Sequence, residues 1–237
     1  MISFIVPAHN EQRELGTALQ AVHTAARALQ LRYEIVVVSD ASTDRTADIA
    51  REHGARVLVV DYRHIAATRK PGARHARGRR FLFIDADTRV DTPLLAAALS
   101  ALHAGAVGGG ATVRLLGRTT LYTRASVAAL GWLFRMSGIA PGCFLFCTRP
   151  AFEAAGGFDE RYYAGEDVAL SRALARHGRF VILRLPVLTS ARKLRTFSMR
   201  EHLRLFVQFA LRGRGVLHSR QHLQLWYSQR RDDSGEM

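Results

Sequence analysis

The run Phe81-Leu82-Phe83-Ile84 ends on Asp85-Ala86-Asp87, an apolar stretch closed by two carboxylates with one small residue between them. Such a run bounded by acid reads as a buried strand, and side chains two apart on extended backbone point the same way. Asp85 and Asp87 can therefore converge on one point. Two anions at a strand end repel each other unless something positive lies between them. A divalent cation carrying a diphosphate meets that need with hard oxygen ligands. The competing reading is a helix-capping loop with one aspartate as N-cap.

The elements that must hold these acids follow from local pattern. Ile2 to Val6 is a first strand closed by Pro7, after which Ala8-His9-Asn10-Glu11 leads into a helix. Leu15, Ala18, Leu19, Val22, Ala25, Ala26 and Leu29 keep a three-four spacing, so that helix has one buried face. Tyr33-Glu34-Ile35-Val36-Val37-Val38-Ser39 is a second strand ending at Asp40, and Ala41-Ser42-Thr43-Asp44 supplies caps for a helix running to about His53. Asp91-Thr92-Pro93 opens another helix, with Thr92 or Asp91 as its cap, and Gly108 to Val113 is a strand whose glycines let a second backbone approach. Helices are expected over Thr120–Met136, Glu166–His177 and from Ser198, with a strand from Phe180 to Leu185. In an open parallel α/β sheet the strand ends lie along one edge, where ligands bind. Acids distant in sequence become neighbours there.

Four signatures in order, Pro7-Ala8-His9-Asn10-Glu11, Asp40-Ala41-Ser42-Thr43-Asp44, Asp85-Ala86-Asp87 and Gly165-Glu166-Asp167, resemble the family 2 glycosyltransferases of the GT-A fold. Gly156-Gly157-Phe158-Asp159-Glu160 looks like that family's lead-in to its last acidic motif. Ser39 stands where the family commonly has another aspartate, and the tryptophan motif of processive synthases is not present. The resemblance implies an α/β fold: a single Rossmann-like domain with a mostly parallel sheet flanked by helices, followed by C-terminal helices. Residues 1–105 would form the nucleotide-sugar half, 106–190 the acceptor half and 191–237 a basic helical extension.

The same resemblance implies roles. Asp85 and Asp87, with Ala86 between them, would hold Mn²⁺ or Mg²⁺ and the donor diphosphate. Pro7, Ala8, His9, Glu11 and Asp40 would line the nucleoside, a carboxylate accepting from a base N–H or a ribose hydroxyl. Glu11 also reads as a first-turn acid favoured by the helix dipole. Arg74 looks like the family's basic residue beside the donor, and equally like a solvated surface arginine. Asp167, with Glu166 as fallback, would be the general base that takes the acceptor's proton. That role implies inversion at the anomeric carbon, with a retaining reaction left open. Apart from the resemblance, the basic charge of the post-strand loop with Arg192, Lys193 and Arg195 suggests a flexible lid that grips the diphosphate.

Composition bounds the rest. The chain has 237 residues, 48% of them hydrophobic, enough for a real core. No apolar run of membrane-spanning length and no leader pattern is read, so a cytoplasmic setting is expected. Cys143 and Cys147 read as buried thiols. The formal charge of +14 rests almost wholly on arginine, Lys70 and Lys193 being the only lysines. Charge crowds the C-terminal part, where Arg200, Arg204, Arg212 and Arg214 flank a broad apolar arc of Leu203, Leu205, Phe206, Val207, Phe209, Ala210 and Leu211. That pattern suits peripheral attachment to an anionic inner leaflet and a lipid-linked acceptor; a core helix or a homodimer interface are the other readings. A nucleic-acid partner is disfavoured because these arginines alternate with aliphatics rather than stacking aromatics. A sugar nucleotidyltransferase would open on a glycine-rich basic loop, which Pro7–Glu11 is not.

Overall fold

The computed structural model describes residues 1–117, 131–132, 134–162 and 165–190. The extension 191–237, and with it Arg192, Lys193 and the arginine-flanked helix, lies outside the described residues, as does most of the helix expected over 120–136. The elements are β1 Ile2–Ala8, α1 Leu15–Ala28, β2 Tyr33–Asp40, α2 Thr46–Glu52, β3 Arg56–Val60, α3 Ile65–His75, β4 Arg80–Ile84, β5 Thr88–Arg89, α4 Thr92–His103, β6 Gly108–Leu116, β7 Phe144–Thr148, α5 Arg149–Ala154, α6 Glu166–Ala175 and β8 Phe180–Ser190.

The strands form one sheet in the order β3-β2-β1-β4-β7-β6-β8-β5. β1, β2, β3 and β4 pair in parallel, β7 runs antiparallel between β4 and β6, and β8 is parallel to β6. Strand residues alternate between two cores. Phe4, Val6, Leu82 and Ile84 face a core shared with α1 and α4, while Ile5, Phe81 and Phe83 face one shared with α3, α5 and α6. Burial on both faces is why these strands read as continuous apolar runs.

Several local expectations match the observed elements. α1 buries Leu15, Ala18, Leu19, Val22, Ala25 and Ala26, and Asp91 caps α4 by accepting from the Leu94 N–H at 2.9 Å. The β6 glycines are packed to backbone distance: a Cβ on Gly109 would lie 2.1 Å from the Val181 carbonyl oxygen. β1 runs two residues past Val6, with Pro7 placed where the ladder to β4 has already ended at Ile5.

β3, α3, β5, β7 and α5 have no counterpart among the expected elements. Pro71 and Gly72 sit inside α3, where propensity argues against a helix. Packing explains the glycine: a Cβ on Gly72 would lie 2.5 Å from Ile5 Cγ2 and 3.0 Å from Val38 Cγ2. Its absence lets α3 lie directly on β1 and β2, and this fixes where the next residues of that helix reach.

Candidate active site

The ends of β1, β2, β3 and β4 and the start of β7 share one edge of the sheet, since Ile84 is registered against Phe144. The loops at this edge are laced together. The Asn10 side-chain oxygen accepts from Thr43 N–H at 2.8 Å, Glu11 N–H donates to Thr46 Oγ1 at 2.8 Å, and Gln12 N–H donates to Asp44 Oδ2 at 3.1 Å. His9 Nδ1 lies 2.6 Å from the Asp40 carbonyl oxygen, a contact that requires the N–H on Nδ1. Asn10, Ala41 and Arg63 have φ of 51°, 49° and 49°, so three neighbouring turns hold left-handed backbone without glycine.

Asp40 is buried, and its carboxylate is committed to the protein. Oδ1 accepts from Tyr62 N–H at 2.7 Å and Arg63 N–H at 2.9 Å; Oδ2 accepts from Thr68 Oγ1 at 2.6 Å and His64 N–H at 3.2 Å. Two oxygens offer about four lone-pair sites, and four donors fill them. In this conformation Asp40, expected beside the nucleoside, organises the turn into α3. Pro7 and Ala8 are buried at the end of β1, and Glu11 is buried at the following turn. His9 is exposed beside them.

One arginine connects the remaining acids. Arg69 of α3 is 3% exposed. Its Nη1 donates to Glu166 Oε1 at 2.8 Å, and its Nη2 donates at 2.8 Å both to Asp85 Oδ1 and to the Gly142 carbonyl oxygen. The guanidinium also stands 5.3 Å from the centre of the Phe158 ring. Glu166 and Asp167 occupy the first turn of α6, which Gly165 opens with φ 78°. Asp167 packs on the turn before β7: a Cβ on Gly142 would lie 2.9 Å from its Oδ2. Ala86 is buried between the two aspartates, and Asp87, 4% exposed, meets the end of β8. Thr189 Oγ1 donates to Asp87 Oδ1 at 3.4 Å, and Ser190 N–H donates to the Asp87 carbonyl at 3.3 Å.

Four carboxylates, Asp85, Asp87, Glu166 and Asp167, thus sit at this edge, and one buried cation bonds two of them, Asp85 and Glu166. Burial first, then the charges of Asp167 and Asp85, push the Glu166 carboxyl up to about 7 against the pull of Arg69. Burial also raises Asp167, with Arg69 opposing. Asp85, Glu166 and Asp167 in turn hold Arg69 above its ordinary value although burial pulls it down. This surplus of negative charge fits a divalent cation. No cluster of three or more acidic, histidine or cysteine ligands exists among the described residues. A cation held by one or two carboxylates and completed by a ligand's phosphates needs none.

Arg74, expected beside the donor, is placed otherwise. It is exposed in the last turn of α3, whose end lies where Arg56 at the start of β3 bonds the His75 carbonyl, at the opposite edge. The arginine at the site is Arg69, more than a turn earlier. Sequence reasoning also passed over Thr68, Gly142 and Thr189. Of these only Gly142 adjoins a residue it named, Cys143, and none forms a motif.

Residues 3–150, more than half the chain, match Glycosyl transferase family 2. A dolichyl-phosphate beta-glucosyltransferase of Trichomonas vaginalis is 38% identical over 99 residues, 36% of this chain and 30% of that protein. An undecaprenyl-phosphate 4-deoxy-4-formamido-L-arabinose transferase of Edwardsiella ictaluri is 35% identical over 94 residues, 36% of this chain and 29% of that protein. The matches span about a third of the length of these curated relatives. Among solved structures, the mannosyltransferase PcManGT of Pyrobaculum calidifontis, in complex with GDP-Man and Mn²⁺, superposes with a TM-score of 0.66 at 21% identity, over 92% of this chain and 62% of that one. TarS 1-349 of S. aureus with UDP-GlcNAc gives 0.62 at 15%, over 95% and 78%. These structures share the fold, and the family match extends from β1 through the Asp85-Ala86-Asp87 turn into the start of α5: the chain belongs to glycosyl transferase family 2.

Proposed function

We propose that this chain transfers a sugar from a nucleotide-diphosphate sugar to an acceptor held beside Asp167. The observation that carries the reading is the convergence of Asp85 and the Glu166-Asp167 pair on one edge of the sheet, joined through Arg69. Asp85 and Asp87 are the residues that would hold Mn²⁺ or Mg²⁺, and the bound ion would offset charge developing on the leaving diphosphate. The loops of His9 to Glu11 and Tyr62 to His64 border the space next to them and suit the nucleoside. Asp167 accepts the proton of an acceptor hydroxyl while its oxygen bonds to the anomeric carbon and the bond from that carbon to the diphosphate breaks. Attack from the face opposite the leaving group gives inversion.

The acceptor is proposed to be lipid-linked. Trp132 and Met136 are 65% and 68% exposed, one helical turn apart, with exposed Arg135 between them. They lie a few residues before Gly142, which packs on Asp167. An exposed apolar pair with a cation suits contact with an anionic bilayer surface. The named relatives act at dolichyl phosphate and undecaprenyl phosphate, which points the same way. Among the described residues no helix is long and apolar enough to cross a membrane.

Thermal stabilisation by UDP, GDP, UDP-glucose, UDP-GlcNAc and GDP-mannose, each with and without Mn²⁺, tests the donor reading. A Mn²⁺-dependent rise with one base is expected. No stabilisation by any of them, in a folded protein, would set the reading aside. Sedimentation with liposomes of anionic lipid tests the acceptor side, and absence of binding at low salt would favour a soluble acceptor.

A further inference from the structure

Three consecutive residues of α3 reach five different parts of the chain. Thr68 donates to Asp40 at the end of β2, Arg69 donates to Asp85, Gly142 and Glu166, and Lys70 donates to Glu160 at 2.7 Å. The middle contact differs from its neighbours because it joins the donor-side turn after β4 to both acceptor-side pieces, the turn before β7 and the start of α6. A planar guanidinium can satisfy three acceptors in fixed directions at once, whereas an ammonium is a compact point charge on a shorter reach. Arg69 is nearly fully buried, and both N–H groups of its Nη2 are held by the protein.

We propose that Arg69 is a positioning residue: it fixes Glu166, and through the first turn of α6 Asp167, at a set distance from Asp85. Seating of the diphosphate and alignment of the proton acceptor then become one event. The link from Asp85 to Asp167 runs through Arg69, the Glu166 carboxylate and the Gly142 turn that packs against Asp167. The inference rests on the glycosyl-transfer reading for its kinetic consequence, but not for its structural one.

The test has two measurements on the full chain. Without ligand, hydrogen exchange in Arg69→Lys should rise together, by about tenfold or more, at residues 139–143 and 166–170, leaving α1 unchanged. Unchanged exchange at both segments overturns the proposal. If Arg69→Lys does not fold, Glu166→Gln takes its place, and residues 139–143, on the far side of the guanidinium, must loosen; if they do not, the proposal falls. In steady state, UDP-glucose and GDP-mannose are each supplied with Mn²⁺ and a polyprenyl phosphate. At pH 6, where part of the phosphate pool still carries its proton, Arg69→Lys should lower kcat by about tenfold or more, as Asp167→Asn does with the same acceptor, with donor KM held within about threefold. The Arg69→Lys, Glu166→Gln double variant should be no slower than the slower single one, because the pair acts as a unit. Losses that multiply would show Arg69 acting independently of Glu166 and would refute the link. Absent wild-type turnover with every donor counts against glycosyl transfer, while the exchange data still decide the positioning role.

Discussion

Replacing Gly142 by alanine separates the placement of Asp167 from the stability of the fold. The added Cβ would lie 2.9 Å from Asp167 Oδ2 and 3.4 Å from its Cβ and Cγ. An ordinary carbon–oxygen contact is about 3.4 Å, so the carboxylate must retreat by about 0.5 Å, turning about its own side-chain bonds. Misplacing a reacting group by about 1 Å costs on the order of a hundredfold in rate, so half that displacement predicts a loss of about tenfold in kcat. The backbone has no reason to object. Gly142 is not among the positive-φ glycines, and its carbonyl remains free to accept from Arg69. Alanine also restricts the unfolded chain, which offsets the contact by about 0.4–1 kcal/mol. Thermal unfolding should therefore be nearly unchanged while turnover with the stabilising nucleotide sugar falls and donor KM does not. A folded Gly142→Ala protein with wild-type kcat would refute the placement of Asp167 at the reacting oxygen. A drop in melting temperature of several degrees alongside the rate would instead locate the damage in the β7 turn.

Three further outcomes follow from single contacts. Asp87→Asn keeps the bond to Thr189 possible but removes a charge, so it should stay folded and lose the Mn²⁺-dependent part of nucleotide stabilisation; an undiminished Mn²⁺ effect would remove Asp87 from the metal site. Ala41→Gly relieves a φ of 49° and should stabilise the fold by about 1 kcal/mol in urea unfolding, whereas a loss would mean that the glycine's added freedom in the unfolded chain outweighs the strain. Burial pulls the Glu34 carboxyl upward, but bonds from Ser3 Oγ and Arg77 N–H and the charge of Arg56 hold it below the usual range. A depressed value contributes stability above the ordinary carboxylate pKa and loses it as pH falls through the folded one. Glu34→Gln should accordingly be about 1 kcal/mol less stable at pH 7, with the gap to wild type closing below about pH 4; a gap independent of pH would contradict the assignment.

What the sequence made legible is what local chemistry decides. The buried stripe of α1, the Asp91 cap of α4 and the acids closing β2 and β4 each depend on residues within one element and its turn. The partners of those acids do not. Asp40 is satisfied by donors 22 to 28 residues further along, and Asp85 by an arginine 16 residues earlier in a helix that Pro71 and Gly72 disguise. That helix exists because a missing side chain at Gly72 lets it settle on Ile5 and Val38, a fact of packing between elements. An acid at a strand end therefore announces a site without saying whether its charge faces a ligand or the protein. Here Asp40 serves the protein and Asp85 is shared with Arg69, so the same motif logic led to different physical roles.

How much Asp167 contributes depends on the acceptor's own acidity. A sugar or polyprenol hydroxyl must lose its proton as it attacks, and a positioned carboxylate supplies about a hundredfold or more by taking it. A lipid phosphate monoester, with a second pKa near 6, already presents an ionised oxygen at pH 7. A carboxylate beside that oxygen would only repel it, unless the proton still carried by part of the phosphate pool passes to Asp167 first. Burial raises the Asp167 carboxyl, which strengthens it as a proton acceptor and leaves it neutral more often as pH falls. With a hydroxyl acceptor, Asp167→Asn should lower kcat about a hundredfold and abolish the acid limb of the pH–rate profile. With a lipid phosphate acceptor, the same variant should lose less than about tenfold at pH 8, where the phosphate is dianionic, and more at pH 6. Donor stabilisation by nucleotide and Mn²⁺ should be retained in both cases. Turnover equal to wild type from pH 6 to pH 8 would remove Asp167 from the mechanism, whichever oxygen attacks.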